Sequence, residues 1–380
     1  MQRERVLLFI IMIVLLCVGI VMIYSTSAIF ADVRYGSNYY FLKRQLLWLA
    51  LGLAGFFTFS QIDYHRFRGL SRVGIVVSLV LLAAVFIPHV GRGAGGAKRW
   101  ISLGFFSFQP SEIAKYATII FLADYLDRKQ STIGLFFKGF IPPCMVLGAV
   151  LVMIVAQPDL GTVIAIALVS LILFFIGRVR IAHILTMILG SLPALYVLLF
   201  RVEWRRKRLL AFLDPWKDPQ GSGFQIIQSF IALGSGGLFG VGLGQSRQKL
   251  FYLPEAHTDF IFSIIGEELG LVGTLAVVVL FILFLYLGAR IVLRAADYFG
   301  QLLSAGIVSM ITLQTIVNVS VVTGSIPTKG LPLPYISFGG SSLLLIMTAT
   351  GVLMNVAKQA GKKVESNPFA KHKNRLVDLG

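Results

Sequence analysis

Charged residues are scarce in this sequence. Only 13% of the 380 residues are charged, whereas 57% are hydrophobic and the mean hydropathy is +0.83. Soluble domains usually contain about 25% charged and about 45–50% apolar residues. Secreted and cytosolic enzyme classes are therefore excluded, and the composition predicts an integral membrane protein.

The residues and motifs that build disulfides, metal sites and nucleotide sites are also scarce. Cys17 and Cys144 lie in apolar runs, and the five histidines lack the spacing of a metal site, so we expect neither a disulfide scaffold nor protein metal ligands. No Walker sequence is present, which argues against direct NTP hydrolysis. Two short matches are discounted: the G-x-G-x-x-G at 91–96 follows no strand, and the S-x-x-K at 246–249 lacks its companion motifs.

Acidic residues are half as frequent as basic ones. The sequence has 34 Lys and Arg against 17 Asp and Glu, a net charge of +17. The basic residues are scattered over short loops instead of being collected on one domain, so nucleic acid is not a predicted partner. Anionic membrane lipids or a lipid-linked phosphate fit the charge better.

Long apolar runs fill most of the chain and predict ten membrane-spanning helices. The predicted spans are 6–24, 43–60, 70–88, 109–125, 140–156, 160–177, 181–200, 258–288, 303–324 and 340–357. We therefore expect an all-α integral membrane protein with one polytopic domain over 1–360 and a basic cytoplasmic tail over 361–380. A long extracytoplasmic loop, about 201–257 between helices 7 and 8, is expected to contain short interfacial helices.

The distribution of Lys and Arg predicts the orientation. The side that holds both termini carries 18 of them, against 7 on the other side when the long loop is set aside. The positive-inside rule then places both termini in the cytoplasm. The eight basic residues of the long outer loop violate this bias, and a function that recruits anionic groups at the outer face would explain them.

Acidic residues cluster where three predicted spans begin. Glu112 follows Gln109-Pro110-Ser111, Asp159 follows Gln157-Pro158, and Asp259 follows Thr258. An acid at a helix N-terminus complements the helix dipole, which is sufficient to explain any one of them. Three on the same face of the membrane indicate a functional site, because ionisable groups are expensive there.

Two of these acids differ in their expected partners. Lys115 lies three residues after Glu112, so the two side chains face the same side of a helix and form either a structural ion pair or a pair in a substrate cavity. No Lys or Arg follows Asp259 at pairing distance, and an unneutralised carboxylate at the mouth of a span suits a general base.

Cations are predicted on the same outer face as these acids. They are Arg44 at the start of span two, Lys98 and Arg99 before span four, and Lys329 before span ten. They suit either the binding of a pyrophosphate-bearing substrate or anchoring to lipid headgroups, and both interpretations remain open.

Four long motifs resemble those of one protein family. They are Phe108–Glu112, Ala156–Gly161, Leu253–Phe260 and Pro327–Ser342. Together they resemble the SEDS (shape, elongation, division, sporulation) proteins over essentially the whole chain. The Pro-Thr-Lys-Gly-Leu-Pro-Leu-Pro form of the last motif is more similar to the division members than to the elongation members.

The resemblance implies ten transmembrane helices and the polymerisation of lipid II into glycan strands. It implies that Asp259 is the essential acid, that Glu112 and Lys115 line a cavity, and that Arg44 and Arg99 contribute to the substrate groove. The remaining substrate-binding candidates lie at or near the motifs: Lys98, Gln109, Asp159, His257, Thr258, Lys329 and Ser337. Some members carry a basic residue before Gln-Pro-Ser-Glu, where this chain has Ser107-Phe108, so no phosphate contact is expected there.

The expected reaction is a single inverting displacement with Asp259 as the base. Pyrophosphate is already a good leaving group, so cations, with Mg or Mn as a further possibility, suffice to neutralise it and no other cofactor is required. The expected partners are lipid II, the nascent glycan, a class B penicillin-binding protein, other division proteins and membrane lipids, at the septum of a bacterial cytoplasmic membrane. The alternatives are a lipid II flippase, a transpeptidase-recruiting scaffold, an elongation-type polymerase and a sporulation paralogue.

Overall fold

Helices form nearly all of the regular structure in the computed structural model, which describes residues 1–94, 97–103, 106–328 and 330–366. The predicted tail, 361–380, lies mostly outside the described residues, and Lys329 lies outside them too. The helices are α1 Gln2–Tyr35, α2 Tyr40–Gln61, α3 Arg66–Ala84, α4 Pro110–Arg128, α5 Ile141–Ala156, α6 Leu160–Ile176, α7 Ile181–Phe200, α8 Glu203–Leu213, α9 Phe224–Ser235, α10 Ile261–Leu293, α11 Tyr298–Val322 and α12 Gly340–Ser366. A π-helical turn, Phe136–Phe140, leads into α5.

Ten of these helices coincide with the ten predicted spans, namely α1 to α7 and α10 to α12. Within the described part of the chain, seven of them are long and apolar enough to cross a membrane: α1, α3, α5 with its π-helical turn, α7, α10, α11 and α12. The predicted class, an all-α integral membrane protein, is confirmed. The other three helices are less apolar or shorter, since α2 begins beside Lys43 and Arg44, α4 contains five charged residues and α6 has 17 residues. The number ten therefore stays a prediction.

The helices differ greatly in how much of their surface the protein covers. The apolar segments of α11 and α12 are 67% and 83% buried, whereas that of α7 is 0% buried. α11 and α12 therefore form the centre of the bundle, and α7 lies at its edge with Leu185, Leu189 and Tyr196 exposed. Because apolar side chains at the edge of a membrane protein face lipid, this exposure fits a spanning helix.

A small antiparallel sheet lies between α3 and α4, where the sequence analysis predicted no strands. It consists of β1 Gly91–Ala94, β2 Ala97–Leu103 and β3 Phe106–Phe108, with β2 in the middle. Strands this short contain too few residues for an alternating apolar pattern to be recognised. The sheet ends the third helix at Ala84, before the predicted boundary at 88, and places Lys98 and Arg99 on its central strand.

Helix α10 is broken, whereas the sequence predicted one continuous span over 258–288. It begins at Ile261, and Gly270 adopts φ 68° and ψ −164° inside it. A break leaves backbone groups without helical partners. The segment 236–242 supplies four replacements: the amides of Val241 and Gly242 donate to the carbonyls of Glu267 and Glu268 at 2.9 and 3.1 Å, and the amides of Leu271 and Val272 donate to those of Gly237 and Leu238 at 2.9 and 3.1 Å.

Candidate active site

A compact turn immediately before α10 carries Asp259. Glu255 has a positive φ of 57°, and its carbonyl accepts hydrogen bonds from the amides of Thr258 and Phe260 at 3.1 and 3.2 Å. The Glu255 carboxylate also accepts a 2.8 Å hydrogen bond from the Thr258 hydroxyl. Thr258 and Asp259 were predicted at the opening of the helix, but the turn holds them just ahead of its first residue, Ile261.

The loop that precedes α12 packs against this turn. The Ser337 hydroxyl donates to the Thr258 carbonyl at 2.6 Å and accepts from the Leu333 amide at 2.8 Å. The Phe338 amide donates to the His257 carbonyl at 3.0 Å. Ser337, His257 and Thr258 are therefore brought together, and Ser337 acts through backbone positioning in this arrangement.

Asn318 on α11 joins the same two segments. Its side-chain amide donates to the carbonyls of Asp259 and Leu331, both at 2.8 Å. Gly330 lies against the Asp259 carboxylate so closely that an added Cβ would stand 2.6 Å from Oδ2. Asn318 was not predicted as a site residue, because a single polar residue in an apolar span gives no indication of what it contacts.

His257 is enclosed by aromatic rings. Its ring centroid lies 5.7 Å from that of Phe30, 4.6 Å from Phe41 and 5.9 Å from Phe338. Burial among these rings lowers the pKa of His257, although the nearby Glu255 carboxylate opposes the shift. The imidazole is therefore neutral near pH 7, and its contacts serve to fix the turn.

Asp159 caps α6 and ties it to the start of α4. Its carboxylate accepts hydrogen bonds from the amide and the hydroxyl of Thr162 at 3.2 and 2.9 Å. It also accepts from the Gln109 side-chain amide at 2.9 Å and from the Ser111 hydroxyl at 3.4 Å. Because four donors occupy this buried carboxylate, the geometry favours a capping role over direct proton transfer.

The three described cations predicted on the outer face, Arg44, Lys98 and Arg99, occupy different settings. Arg99 is half-buried on β2, and its guanidinium donates to the carbonyls of Gln157, at 3.1 Å, and Pro158. Arg44 is exposed and lies 4.8 Å from the centroid of the Tyr40 ring. Lys98 is also exposed. Within the described residues neither Arg44 nor Lys98 forms an ion pair with the three predicted acids.

Glu112 and Lys115 form the ion pair that their spacing predicts. Lys115 Nζ lies 2.8 Å from Glu112 Oε2, and the two side chains are 0% and 4% exposed. The pair is thus enclosed by the helix bundle instead of being displayed at its surface. A charge buried in this way is costly unless its partner remains beside it.

The Asp259 carboxylate has an unusual electrostatic environment. Among the described residues it forms no ion pair, and burial raises its pKa to about 7, with the charges of Glu255 and Asp159 adding to the rise. The positive charges of Arg99 and Arg208 oppose the shift. A carboxyl group that is half ionised near neutral pH has the property that a general base requires.

Arg208 of α8 belongs to this environment and Arg205 on the same helix is affected by Arg99, and neither was selected individually from the sequence. Arg205 and Arg208 lie one helical turn apart, and their guanidinium groups lie 5.0 and 5.3 Å from the Trp204 ring centroid. Burial and the charge of Arg99 lower the pKa of both. The three-residue spacing within Trp204-Arg-Arg-Lys-Arg was the available signal, since it places these two on one helix face.

Protein ligands for a resident metal ion do not come together in the part of the chain that the structure describes. It contains no group of three or more His, Cys, Asp or Glu side chains that could hold an ion. No step of the reaction is assigned to a divalent ion.

These features define a polytopic membrane protein with a partly shielded acid beside a cluster of cations at one end of its helix bundle, here termed the Asp259 end. The chain belongs to the FtsW/RodA/SpoVE family of cell cycle proteins, whose family model matches residues 5–362. The resemblance to SEDS proteins found in the sequence is thereby confirmed.

Individual relatives and a solved structure agree with this assignment. The probable peptidoglycan glycosyltransferase FtsW of Geobacter metallireducens is 44% identical over 356 residues, which cover 94% of this chain and 95% of that protein. Stage V sporulation protein E of Bacillus subtilis is 46% identical over 352 residues, covering 93% and 96%. A chain of a peptidoglycan synthase complex, described for the structural coordination of polymerization and crosslinking, matches with a TM-score of 0.77 and 29% identity over 93% of this chain and 97% of its own.

Proposed function

We propose that this chain is a peptidoglycan glycosyltransferase that polymerises lipid II, with Asp259 as the general base. The names of its relatives support the reaction class. The observation that carries the residue assignment is the Asp259 carboxylate, which has no ion-pair partner among the described residues and a pKa raised to about 7. Its backbone is held by the Asn318 side chain.

The reaction is one displacement in which the bonds and protons balance. Asp259 accepts the proton of the 4-hydroxyl of one lipid-linked disaccharide while that oxygen bonds to the anomeric carbon of the growing chain. The bond from this carbon to the polyprenyl diphosphate breaks, and the diphosphate leaves as an anion, so the anomeric configuration inverts. A glycosidase needs a second carboxyl group to protonate its leaving group. Here the leaving group is stable as an anion, and one base contributing about 10²–10⁴-fold suffices.

The cations beside Asp259 suit the charge that develops on the diphosphate. Arg99 and Arg208 are both close enough to affect the Asp259 pKa, and they come from β2 and α8. Prearranged positive groups stabilise a developing anion most effectively in a partly dehydrated site. We assign Arg99 and Arg208 to the leaving diphosphate, while Asp259 faces the attacking hydroxyl.

The proposed setting is the division septum of a bacterial cytoplasmic membrane, with the Asp259 end outside and both termini in the cytoplasm. A class B penicillin-binding protein is the proposed partner, since a polymerised strand must also be crosslinked. The match to a chain of a peptidoglycan synthase complex supports this partner class. Other division proteins, membrane lipids and the nascent glycan complete the proposed environment.

Polymerisation by purified protein tests the proposal. We expect the chain in detergent, together with its cognate penicillin-binding protein, to convert lipid II into long glycan that is visible on a gel. Detergent offers no two compartments, so a pure flippase gives no product in this assay. Repeated preparations of folded complex without any glycan would overturn the glycosyltransferase assignment.

A further inference from the structure

A buried ion pair joins the loop 236–249, which follows α9 and precedes the active-site turn, to two helices. Lys249 Nζ lies 2.8 Å from Glu268 Oε1 on α10 and 3.1 Å from the Ser25 hydroxyl on α1. The Ser25 hydroxyl in turn lies 2.7 Å from the Glu268 carboxylate oxygens. The Lys249 and Glu268 side chains are 4% and 0% exposed. The proposed chemistry uses none of these groups.

The neighbouring acid, Glu267, holds the same loop through its backbone. Its carboxylate accepts a 2.5 Å hydrogen bond from the Ser246 hydroxyl, and it accepts from the amides of Arg247 and Gln248 at 2.9 and 3.4 Å. The Ser246 hydroxyl accepts from the Lys249 amide at 3.2 Å. The Ser-x-x-Lys sequence therefore forms a turn bound by two consecutive acids, which accounts for the match that the sequence analysis discounted as catalytic.

Both acids lie next to the break in α10, where the packing is especially tight. A Cβ added at Gly236 or Gly240 would lie 1.9 or 2.1 Å from the carbonyl oxygen of Gly266 or Glu268. Contacts this close leave no room for a side chain, so the loop backbone sits directly on the helix. The loop is thus fixed on one side by backbone contacts and on the other by the buried charges.

The anchored loop leads directly into the turn that carries Asp259. The Leu253 amide donates to the Gln248 carbonyl at 2.9 Å, and the Leu253 and Ala256 side chains are 4% and 6% exposed. Leu253 and Ala256 therefore hold the chain between the anchor and the acid, although residues 250–252, 254 and 255 are exposed. Only nine residues separate Lys249 from Asp259, and these two buried points connect a displacement at Lys249 to the active-site turn.

We infer that Lys249 and Glu268 are positioning residues, whose buried ion pair fastens the loop to α1 and α10 and so sets the place and the burial of the Asp259 carboxylate. The inference rests on the proposed function. Removing either charge leaves the other buried without a partner, which is strongly unfavourable, and opening of the loop to water would relieve that cost. A displacement of about 1 Å at a catalytic group is enough to cost on the order of 10²-fold in rate.

Kinetics of Lys249→Met and Glu268→Gln test this role. We expect kcat to fall by about 10²-fold in each while KM stays within about two-fold, because Arg99 and Arg208, which are assigned to the diphosphate, lie on β2 and α8 outside the loop. The rise of activity with pH should also move to lower pH, since a hydrated Asp259 loses the burial that raises its pKa. Lys207→Met is the matched control: it removes an exposed ion pair with Glu203 on α8, 64% and 71% exposed, and should leave kcat and the pH profile unchanged.

A second measurement does not depend on turnover. Hydrogen–deuterium exchange of the amides in 251–260 should be faster in Lys249→Met than in the wild type, while exchange in 275–293 should be unchanged. The double variant Lys249→Met/Glu268→Gln buries no lone charge and should be no less stable than either single variant, while kcat stays low because the loop is no longer fastened. If a single variant does not fold, the double variant carries both measurements.

Wild-type kcat, pH profile and exchange in a folded Lys249→Met or double variant would overturn the positioning role. A wild-type protein that makes no glycan would instead overturn the proposed function. In that case the exchange measurement still decides whether the ion pair holds the loop.

Discussion

At the scale of single residues, Asp259 is subject to opposing charges. Burial and two neighbouring acids raise its pKa, and two arginines restrain the rise, so that the value lies at about 7. A carboxyl group with an ordinary pKa would be ionised but a weak base, and one with a much higher pKa would be protonated near neutral pH. The balance suits proton acceptance under physiological conditions.

We predict that Asp259→Asn abolishes glycan formation without harming the fold. The ionised carboxylate is disfavoured in its folded environment, as the raised pKa shows, so the neutral amide should leave the melting temperature at or above the wild-type value. Gel analysis of the product and a thermal unfolding assay of the purified variant provide the two measurements. Activity within a few-fold of wild type would remove Asp259 from the role of base.

Removing a neighbouring acid and removing a neighbouring arginine should shift the pH dependence of activity in opposite directions. Wild-type kcat/KM should rise with pH through an apparent pKa of about 7, because the base must be ionised. Glu255→Gln removes a charge that raises this pKa, so the rise should occur at lower pH, whereas Arg208→Gln should move it to higher pH. Arg206→Gln on the same helix serves as the control, because Arg206 is not among the principal charges that act on Asp259, and it should leave the profile in place. Shifts of the same sign in the first two variants would contradict this electrostatic account.

At the scale of the elements, the site depends on contacts between segments that are far apart in sequence. The turn before α10, the end of α11 and the loop before α12 meet through Asn318, Ser337 and Gly330. Each contact involves a backbone group, so the site is defined largely by how closely the backbones approach. A local change of volume at such a point should move the base without unfolding the protein.

Gly330→Ala should lower kcat by displacing the Asp259 carboxylate. The added methyl would lie 2.6 Å from Oδ2, and the end of the Asp259 side chain is the atom that can move away. Polymerisation rates of the purified variant give the measurement, with an expected loss of about 10²-fold. Gly339→Ala is the control in the same loop, because its new Cβ would meet Ser342 Cβ at an ordinary 3.6 Å. Equal rates for the two variants would show that the Gly330 contact does not set the position of the base.

On α4, Glu112 and Lys115 should behave as one unit. Replacing either by Ala leaves a single charge buried in the bundle, so each single change should reduce activity about as much as the double change. Rates and melting temperatures of the three variants form a double-mutant cycle. Losses that simply add would show that the 2.8 Å pair does not act as a unit.

At the scale of the whole molecule, several of the described candidate groups are connected to one another at the Asp259 end of the bundle. The α5–α6 connection contains Asp159 and accepts hydrogen bonds from Gln109 and Arg99. The charges of Arg99 and Arg208 act in turn on Asp259. A carrier of headgroups would be expected to place polar groups at intervals across the bilayer. This arrangement favours chemistry at one face of the membrane over transport through it.

Vesicles that contain this chain alone should therefore not move lipid II between leaflets faster than protein-free vesicles. A fluorescent lipid II with a membrane-impermeant quencher measures the exchange. The Asp259→Asn variant provides a folded control without polymerase activity. Rapid exchange in both proteins, combined with no glycan in detergent, would establish the flippase instead.

The sequence alone determined the class of protein, the locations of the long helices, the Glu112–Lys115 pair and the family. Each of these depends on local properties: apolar run length, helical spacing or contiguous motifs. The approach of Gly330 to Asp259, the link through Asn318 and the effect of Arg208 on Asp259 could not be predicted, because residues far apart in sequence meet there. The break at Gly270 and the Lys249–Glu268 pair could not be predicted from the sequence either. A helix interruption is acceptable only where another segment supplies its hydrogen bonds. That second segment is brought to the helix by the tertiary fold alone.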